Sequence, residues 1–260
     1  MSLPSSLVLV VDADNTLWDT NEVFARAQLR LLELTEHSVG RACPRGDRLT
    51  FVRAYDQAIA AKHHLHLKYP AQLLVSAIGA GLSGMEPDIA AESAIRGRLR
   101  GSSISKHQID GVLAAYSQAL SDVPALLPTV REGLKLARAQ GMTVYVMTEG
   151  RLDRQHRALA EHGLDTFVTG VWEMTKTTSQ FGRIRQRFAP VDVVVIGDQV
   201  DRDIGPSHDA GCKTVLVPGR FQPCWGGSPD AQTADHVAPT FLSAVEWVAS
   251  FRHEPSRSCA

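Results

Sequence analysis

Five short segments of this chain are apolar almost without interruption: LVLVV at 7–11, TVYVM at 143–147, TFVTGVW at 166–172, VDVVVIG at 191–197 and KTVLVPG at 213–219. A strand that is apolar on both faces must be covered on both, which suits parallel strands flanked by helices. Helical patterns lie between the later runs. PTVREGLKLARAQG (128–141) offers Thr129 as an N-cap, Glu132 as its capping-box partner and Gly141 as a stop, and RLDRQHRALAEHG (151–163) ends similarly at Gly163. From residue 128 onward the chain therefore alternates helix and strand, the mark of an α/β sheet with right-handed crossovers.

Residues 20–121 break that rhythm. TNEVFARAQLRLLELTEH (20–37), DRLTFVRAYDQAIAAKHH (47–64), PDIAAESAIRGRLRG (87–101) and ISKHQIDGVLAAYSQAL (104–120) read as helices, with no convincing strand among them. The expectation is a core domain built from 1–19 and 122–260, interrupted by a helical domain at 20–121. Further on, 218–233 reads as a Gly/Pro-rich loop, FLSAVEWVASF (241–251) as a closing helix and the last residues as a frayed tail.

With 260 residues and 44% apolar content the chain can bury a sizeable core without disulfides or metal staples. Lys and Arg total 27 against 28 for Asp and Glu, so no net field draws it to nucleic acid or an acidic membrane. Cys43, Cys212, Cys224 and Cys259 have no paired spacing, which favours reduced thiols and argues against structural zinc. The run 7–11 is too short for a signal-peptide core and no later run could span a bilayer. These readings make a soluble, cytoplasmic protein the expectation, with its oligomeric state left open.

The strand ends carry the chemistry. The first run leads into DADNT, with Asp12 and Asp14 two positions apart; the second ends at Thr148; Lys176 follows the third; the fourth runs into GDQVDRD, with Asp198, Asp201 and Asp203 inside six residues. Singly, each has a plain explanation: a turn aspartate, a helix cap, a solvated lysine. Together they sit at the carboxyl ends of successive strands, where open α/β sheets bind ligands. Three neighbouring acids repel one another, and a cation relieves that repulsion.

In order and spacing, DADNT, the Met-Thr pair at 147–148, Lys176 and GDQVDRD resemble the four motifs of the haloacid dehalogenase-like hydrolase superfamily, over about residues 10–218. The resemblance implies a Rossmann-like parallel sheet whose first strand lies between the second and fourth, with residues 20–121 as a C1-type cap hinged at NTLWDTNEVF. It implies a Mg²⁺-dependent phosphatase for a small phosphorylated molecule. Asp12 would be the nucleophile that forms an aspartyl-phosphate, and Asp14, about 6.6 Å further along an extended chain, the general acid and base. Thr148 would hold a phosphoryl oxygen, and Lys176 would screen charge. Asp12, the main-chain carbonyl of Asp14, and Asp198 would ligate the ion, with Asp203 orienting Lys176 or a metal-bound water and Asp201 ranked below it. Trp18 is read as packing the hinge, with substrate stacking as its alternative.

Several positions depart from the commonest pattern of that superfamily. Asn15 stands where Gly is usual, and Asn tolerates a left-handed backbone. Glu149 follows Thr148, where facing outward it is harmless and facing inward it would weaken anion binding or select a cationic substrate. Thr177, in place of a frequent Pro, follows Lys176. Asp14 favours phosphatase over 2-haloacid dehalogenase, whose members generally lack an acid there. No cap residue identifies itself as the proton shuttle of a mutase. Glu149 and the setting of Lys176 motivate a rival from another class, a non-catalytic protein that binds a phosphorylated ligand. The histidine cluster of His63, His64 and His66 and the basic run at 96–101 read as exposed faces of the helical insert.

Overall fold

The computed structural model is described for residues 7–64, 69–99, 104–219 and 233–250. The Val-rich segments form a six-stranded, wholly parallel sheet: β1 (Val8–Asp12), β2 (Thr143–Thr148), β3 (Gly170–Glu173), β4 (Val193–Gly197), β5 (Lys213–Leu216) and β6 (His236–Val237), in the order β3-β2-β1-β4-β5-β6. The first strand thus lies between the second and fourth.

Strand residues alternate between two apolar layers, which is why the runs need no polar positions. Leu9 and Val11 of β1, Val144 and Val146 of β2, and Val194 and Ile196 of β4 point to one side. There they meet α6 (Val130–Ala139), α7 (Leu152–Glu161) and α10 (Phe241–Ser250). Val8, Val10, Met147, Val193 and Val195 point to the other side and pack against Phe181 and Ile184 of α8 (Thr178–Phe188). Full burial of each such aliphatic side chain stabilises the fold by about 1.5–3 kcal/mol.

The described residues divide into two compact units, and Asn21–Asp122 with its own core is one of them. It holds most of α1 (Thr20–Val39), then α2 (Arg48–Lys62), α3 (Ala71–Gly81), α4 (Pro87–Ile95) and α5 (Lys106–Ala119), and no strand among its described residues. Leu31, Leu32, Val52, Ile59, Leu74 and Ile78 lie at its centre. In the sheet unit, the segments that lead into and out of this insert run side by side. Trp18 bridges Leu126, the Asp19 N–H donates to the Ala125 carbonyl at 2.8 Å, and the Leu127 N–H to the Leu17 carbonyl at 2.9 Å.

Three local expectations are corrected. The run at 166–172 is strand only from Gly170, because Asp165–Phe167 forms a 3₁₀ turn and pairing with β2 begins with the Thr169 N–H on the Val144 carbonyl. Thr129 does not cap α6 through its side chain. Its backbone is left-handed at φ 69°, its hydroxyl accepts instead from the Leu242 N–H at 3.4 Å, and Glu132 is exposed. The last apolar run pairs only as far as Leu216. His66, Cys224, Cys259, most of the loop at 218–233 and the tail lie outside the described residues. No helix among the described residues is long and apolar enough to cross a membrane.

Candidate active site

Register brings the strand-end residues together. Asp12, the last residue of β1, is level with Met147, one residue before Thr148; Val11 is level with Ile196, so Gly197 and Asp198 follow alongside Asp12. Thr148 is level with Glu173 at the end of β3, three residues before Lys176. The chain leaves β1 through a tight turn in which Asn15 has φ 62°, the left-handed conformation that Asn takes more readily than other side chains. Thr16 then sits where its hydroxyl donates to Asp12 Oδ2 at 3.3 Å.

Lys176 Nζ donates to Asp12 Oδ1 and, at 2.6 Å, to Asp203 Oδ1. All three side chains are buried. Asp203 reaches this position from one turn of π-helix, Val200–Ile204, a distortion that often marks functional sites. The Gln199 N–H donates to its Oδ2 at 3.1 Å. Asp201, in the same turn, is exposed and faces Arg202 at 3.9 Å, so Asp203 is the acid that joins the cluster.

Asp12, Asp198 and Asp203 each offer an oxygen, and the three atoms lie within 4.8 Å of one another. One ammonium cannot balance three carboxylates. Burial first, then the charge of Asp203 and Asp14, raises Asp12 to about 8 despite Lys176. Burial, followed by Asp12 and Asp203, raises Asp198 to about 9. Burial works against the Lys176 ammonium, but Asp12 and Asp203 outweigh it and hold its pKa above the ordinary lysine value.

With all three carboxylates ionised the group would be two positive charges short, which suits a divalent cation. A second observation agrees: Asp198 Oδ1 is buried and has no hydrogen-bond partner, a state that buried carboxylates rarely keep. The space beside Asp198 is also held open, since a Cβ on Gly219 would lie 2.7 Å from its Oδ2. The donors are all oxygen, as hard cations prefer. The Asp14 carboxylate is not one of the three; the expectation for Asp14 concerned its main-chain carbonyl.

Asp14 is held separately. Its Oδ1 accepts from the Thr20 hydroxyl at 2.7 Å, and its Oδ2 from Gln155 Nε2 at 3.1 Å and the Thr148 hydroxyl at 3.3 Å. Thr148 Oγ1 in turn accepts from the Gly150 N–H at 2.9 Å. The Thr148 hydroxyl is thus engaged with Asp14.

Glu149 neither faces freely outward nor intrudes on the cluster. Its Oε1 accepts from the Lys176 N–H at 3.1 Å, and Arg202 lies 3.4 Å from it. Thr177 caps α8 by accepting from the Gln180 N–H at 3.3 Å. Trp18 is 1% exposed within the sheet unit's core and leaves no ring face for a substrate. Sequence reasoning missed Thr16, Thr20, Gln155 and Arg202. Gln155 alone left a signal, as the polar member of α7's buried face with Ala158 and Leu159.

A family model described as haloacid dehalogenase-like hydrolase matches residues 7–211. A comparison with curated proteins finds no match. Among solved structures, a predicted phosphoglycolate phosphatase from Haemophilus somnus 129pt superposes with a TM-score of 0.60 at 15% identity, covering 95% of this chain and all of its own. A haloacid dehalogenase-like family hydrolase from Xanthomonas campestris gives 0.58 at 17% identity, with coverage of 96% and 99%. The Bacillus subtilis HAD-hydrolase YfnB, bound to magnesium, also gives 0.58, at 15% identity with coverage of 94% and 99%. At such identities these likenesses concern the fold, while the family match spans most of the sequence. The chain belongs to the haloacid dehalogenase-like hydrolases.

Proposed function

We propose that this hydrolase is a Mg²⁺-dependent phosphatase of a small phosphorylated metabolite, with residues 20–121 as the cap that selects the substrate. The observation that carries the reading is the division of labour among carboxylates. Asp12 lies in a buried cluster that is short of positive charge, while Asp14, two residues on, is held apart by three hydrogen-bond donors.

Asp12, Asp198 and the Asp14 carbonyl would hold the ion, with Asp203 beside them. Bound there, it would neutralise the excess charge and lessen the repulsion between carboxylate and phosphate. Asp12 attacks phosphorus and the ester oxygen leaves, giving an aspartyl-phosphate on Asp12. Asp14 gives the departing alkoxide its proton and then takes one from the water that hydrolyses the acyl phosphate, so protons balance over the cycle. Lys176 keeps Asp12 oriented and offsets charge as the phosphoryl group arrives. With the Thr148 hydroxyl committed to Asp14, the backbone N–H of Glu149 is the donor assigned to a phosphoryl oxygen.

Halide displacement needs no proton donor for its leaving group, which makes Asp14 and its three donors superfluous in a dehalogenase. Of the two features that favoured a binding-only protein, Glu149 and the setting of Lys176, the first is taken up by the Lys176 N–H and by Arg202. Purified protein should release phosphate from p-nitrophenyl phosphate with Mg²⁺, stop with EDTA, and lose more than about 10³-fold in kcat in Asp12→Asn. Full activity in that variant would end the nucleophile assignment. Absence of turnover across sugar phosphates, nucleotides and phosphoglycolate, together with tight binding of one of them, would favour the binding-only protein.

A further inference from the structure

Gln155 lies in the first turn of α7, and its side chain points back toward the end of β2. It is 4% exposed, on a face otherwise occupied by apolar side chains. A glutamine that only filled space there would leave its amide to be satisfied by whatever was near, at a cost of about 1–3 kcal/mol if nothing was. This one meets Asp14, whose carboxylate stands outside the acidic cluster.

The hydrogen bonds close into a complete set. A primary amide nitrogen carries two hydrogens, and Gln155 Nε2 has two acceptors, Asp14 Oδ2 at 3.1 Å and Thr148 Oγ1 at 3.2 Å. The one proton of the Thr148 hydroxyl goes to the same Asp14 oxygen, so Thr148 receives from Gln155 and from the Gly150 N–H. In the opposite amide orientation Oε1 would face Asp14 Oδ2 and Thr148 Oγ1 and offer neither a hydrogen, so the donors on hand favour Nε2 there. Gly150 makes the closure possible: a Cβ there would lie 3.1 Å from Gln155 Nε2, 3.2 Å from Thr148 Oγ1 and 3.3 Å from Asp14 Oδ2. All three polar atoms close over a bare α-carbon.

We propose that Gln155 is a positioning residue that fixes the rotamer of Asp14, so that its carboxyl is aligned with the leaving oxygen and then with the attacking water. The inference rests on the acid and base role given to Asp14 above, and it adds a residue from α7 that never touches the substrate. Small displacements of a proton donor are expensive in rate, so loss of alignment is felt where proton transfer matters and not elsewhere.

Leaving groups separate that effect from ordinary damage. The alkoxide of phosphoglycolate needs a proton to depart, whereas p-nitrophenolate does not. Gln155→Met keeps length and volume and removes both donors. It should lower kcat/KM for phosphoglycolate relative to p-nitrophenyl phosphate by about tenfold or more. Because the ratio is taken on one preparation, it does not depend on the fraction of folded protein. Asp14→Asn, run beside it, should shift the ratio in the same direction and further. If Asp14→Asn leaves the ratio unchanged, the acid and base assignment fails and this inference with it. A shift in Asp14→Asn with equal losses on both substrates, or none, in Gln155→Met overturns the role of Gln155 alone.

Discussion

Gly197 has no side chain because Asp203 occupies the space one would need. A Cβ at Gly197 would overlap Cβ, Cγ and Oδ2 of Asp203, none of them the free end of a flexible chain. Gly197→Ala should therefore push Asp203 off Lys176. Overpacking of this kind costs about 1–3 kcal/mol, and the displaced carboxylate leaves the Lys176 ammonium with one partner. The expected result is a lower urea midpoint together with a fall in phosphate release, whereas an unchanged midpoint would mean that the turn relaxes around the methyl. At this scale the sequence was most informative where a residue type is chemically unusual. Asp12, Lys176, Asp198 and Asp203 were legible together because each follows a strand of one parallel sheet, whose register brings them to one place. Thr20 was illegible because a lone hydroxyl on a helix looks the same whether it faces water or a carboxylate, while Gln155 showed only as a polar residue on an apolar helix face.

Helix ends show the same contrast one level up. Some caps form from neighbouring residues alone, though no expectation named them: Asp47 accepts from the Leu49 and Thr50 N–H groups at the start of α2, and Ser105 forms a capping box with Gln108 before α5. At α6 the sequence pattern was clear but α10 outcompeted it, since the Thr129 hydroxyl accepts from the Leu242 N–H instead of from α6. Helix α3 was hidden for another reason: Gly79 and Gly81 argue against a helix by propensity. Tertiary packing requires them, because a Cβ on Gly81 would overlap the Tyr55 ring and one on Gly79 would lie 2.9 Å from Ile104 Cδ1. Strand β6, two residues long, was too short to leave a pattern. The cap of α8 yields a prediction. Thr177 has φ −126°, and proline is fixed near −65°, so the residue frequent in relatives does not fit this backbone. Thr177→Pro should destabilise the protein more than Thr177→Ala, which forfeits only a cap worth about 1 kcal/mol. Equal melting temperatures for the two variants would show that the loop adjusts.

Across the whole molecule a net charge of −1 conceals a concentrated imbalance: three carboxylates and one ammonium share the buried cluster. Asp12 and Asp198, at about 8 and about 9, hold protons in the folded chain that unfolded carboxylates, with ordinary values near 3.8, have released. The folded state therefore binds more protons between about pH 5 and 9, and these groups make stability fall as pH rises through that window. Mg²⁺, which binds the deprotonated forms, should raise the thermal midpoint more at pH 9 than at pH 6, and Asp198→Asn should flatten both responses. A midpoint indifferent to Mg²⁺ at either pH would remove the cation from the account. The paired segments around Trp18 and Leu126 have a consequence for chain statistics. Strand β1 must find β2 across roughly 130 residues, yet closing that loop instead of one of about 35 costs only about 1 kcal/mol more in entropy. Once Asp19 has met Ala125, the insert hangs from a closed clasp. Its length and sequence can then drift over generations with little thermodynamic penalty to the sheet, leaving selection free to act on it separately.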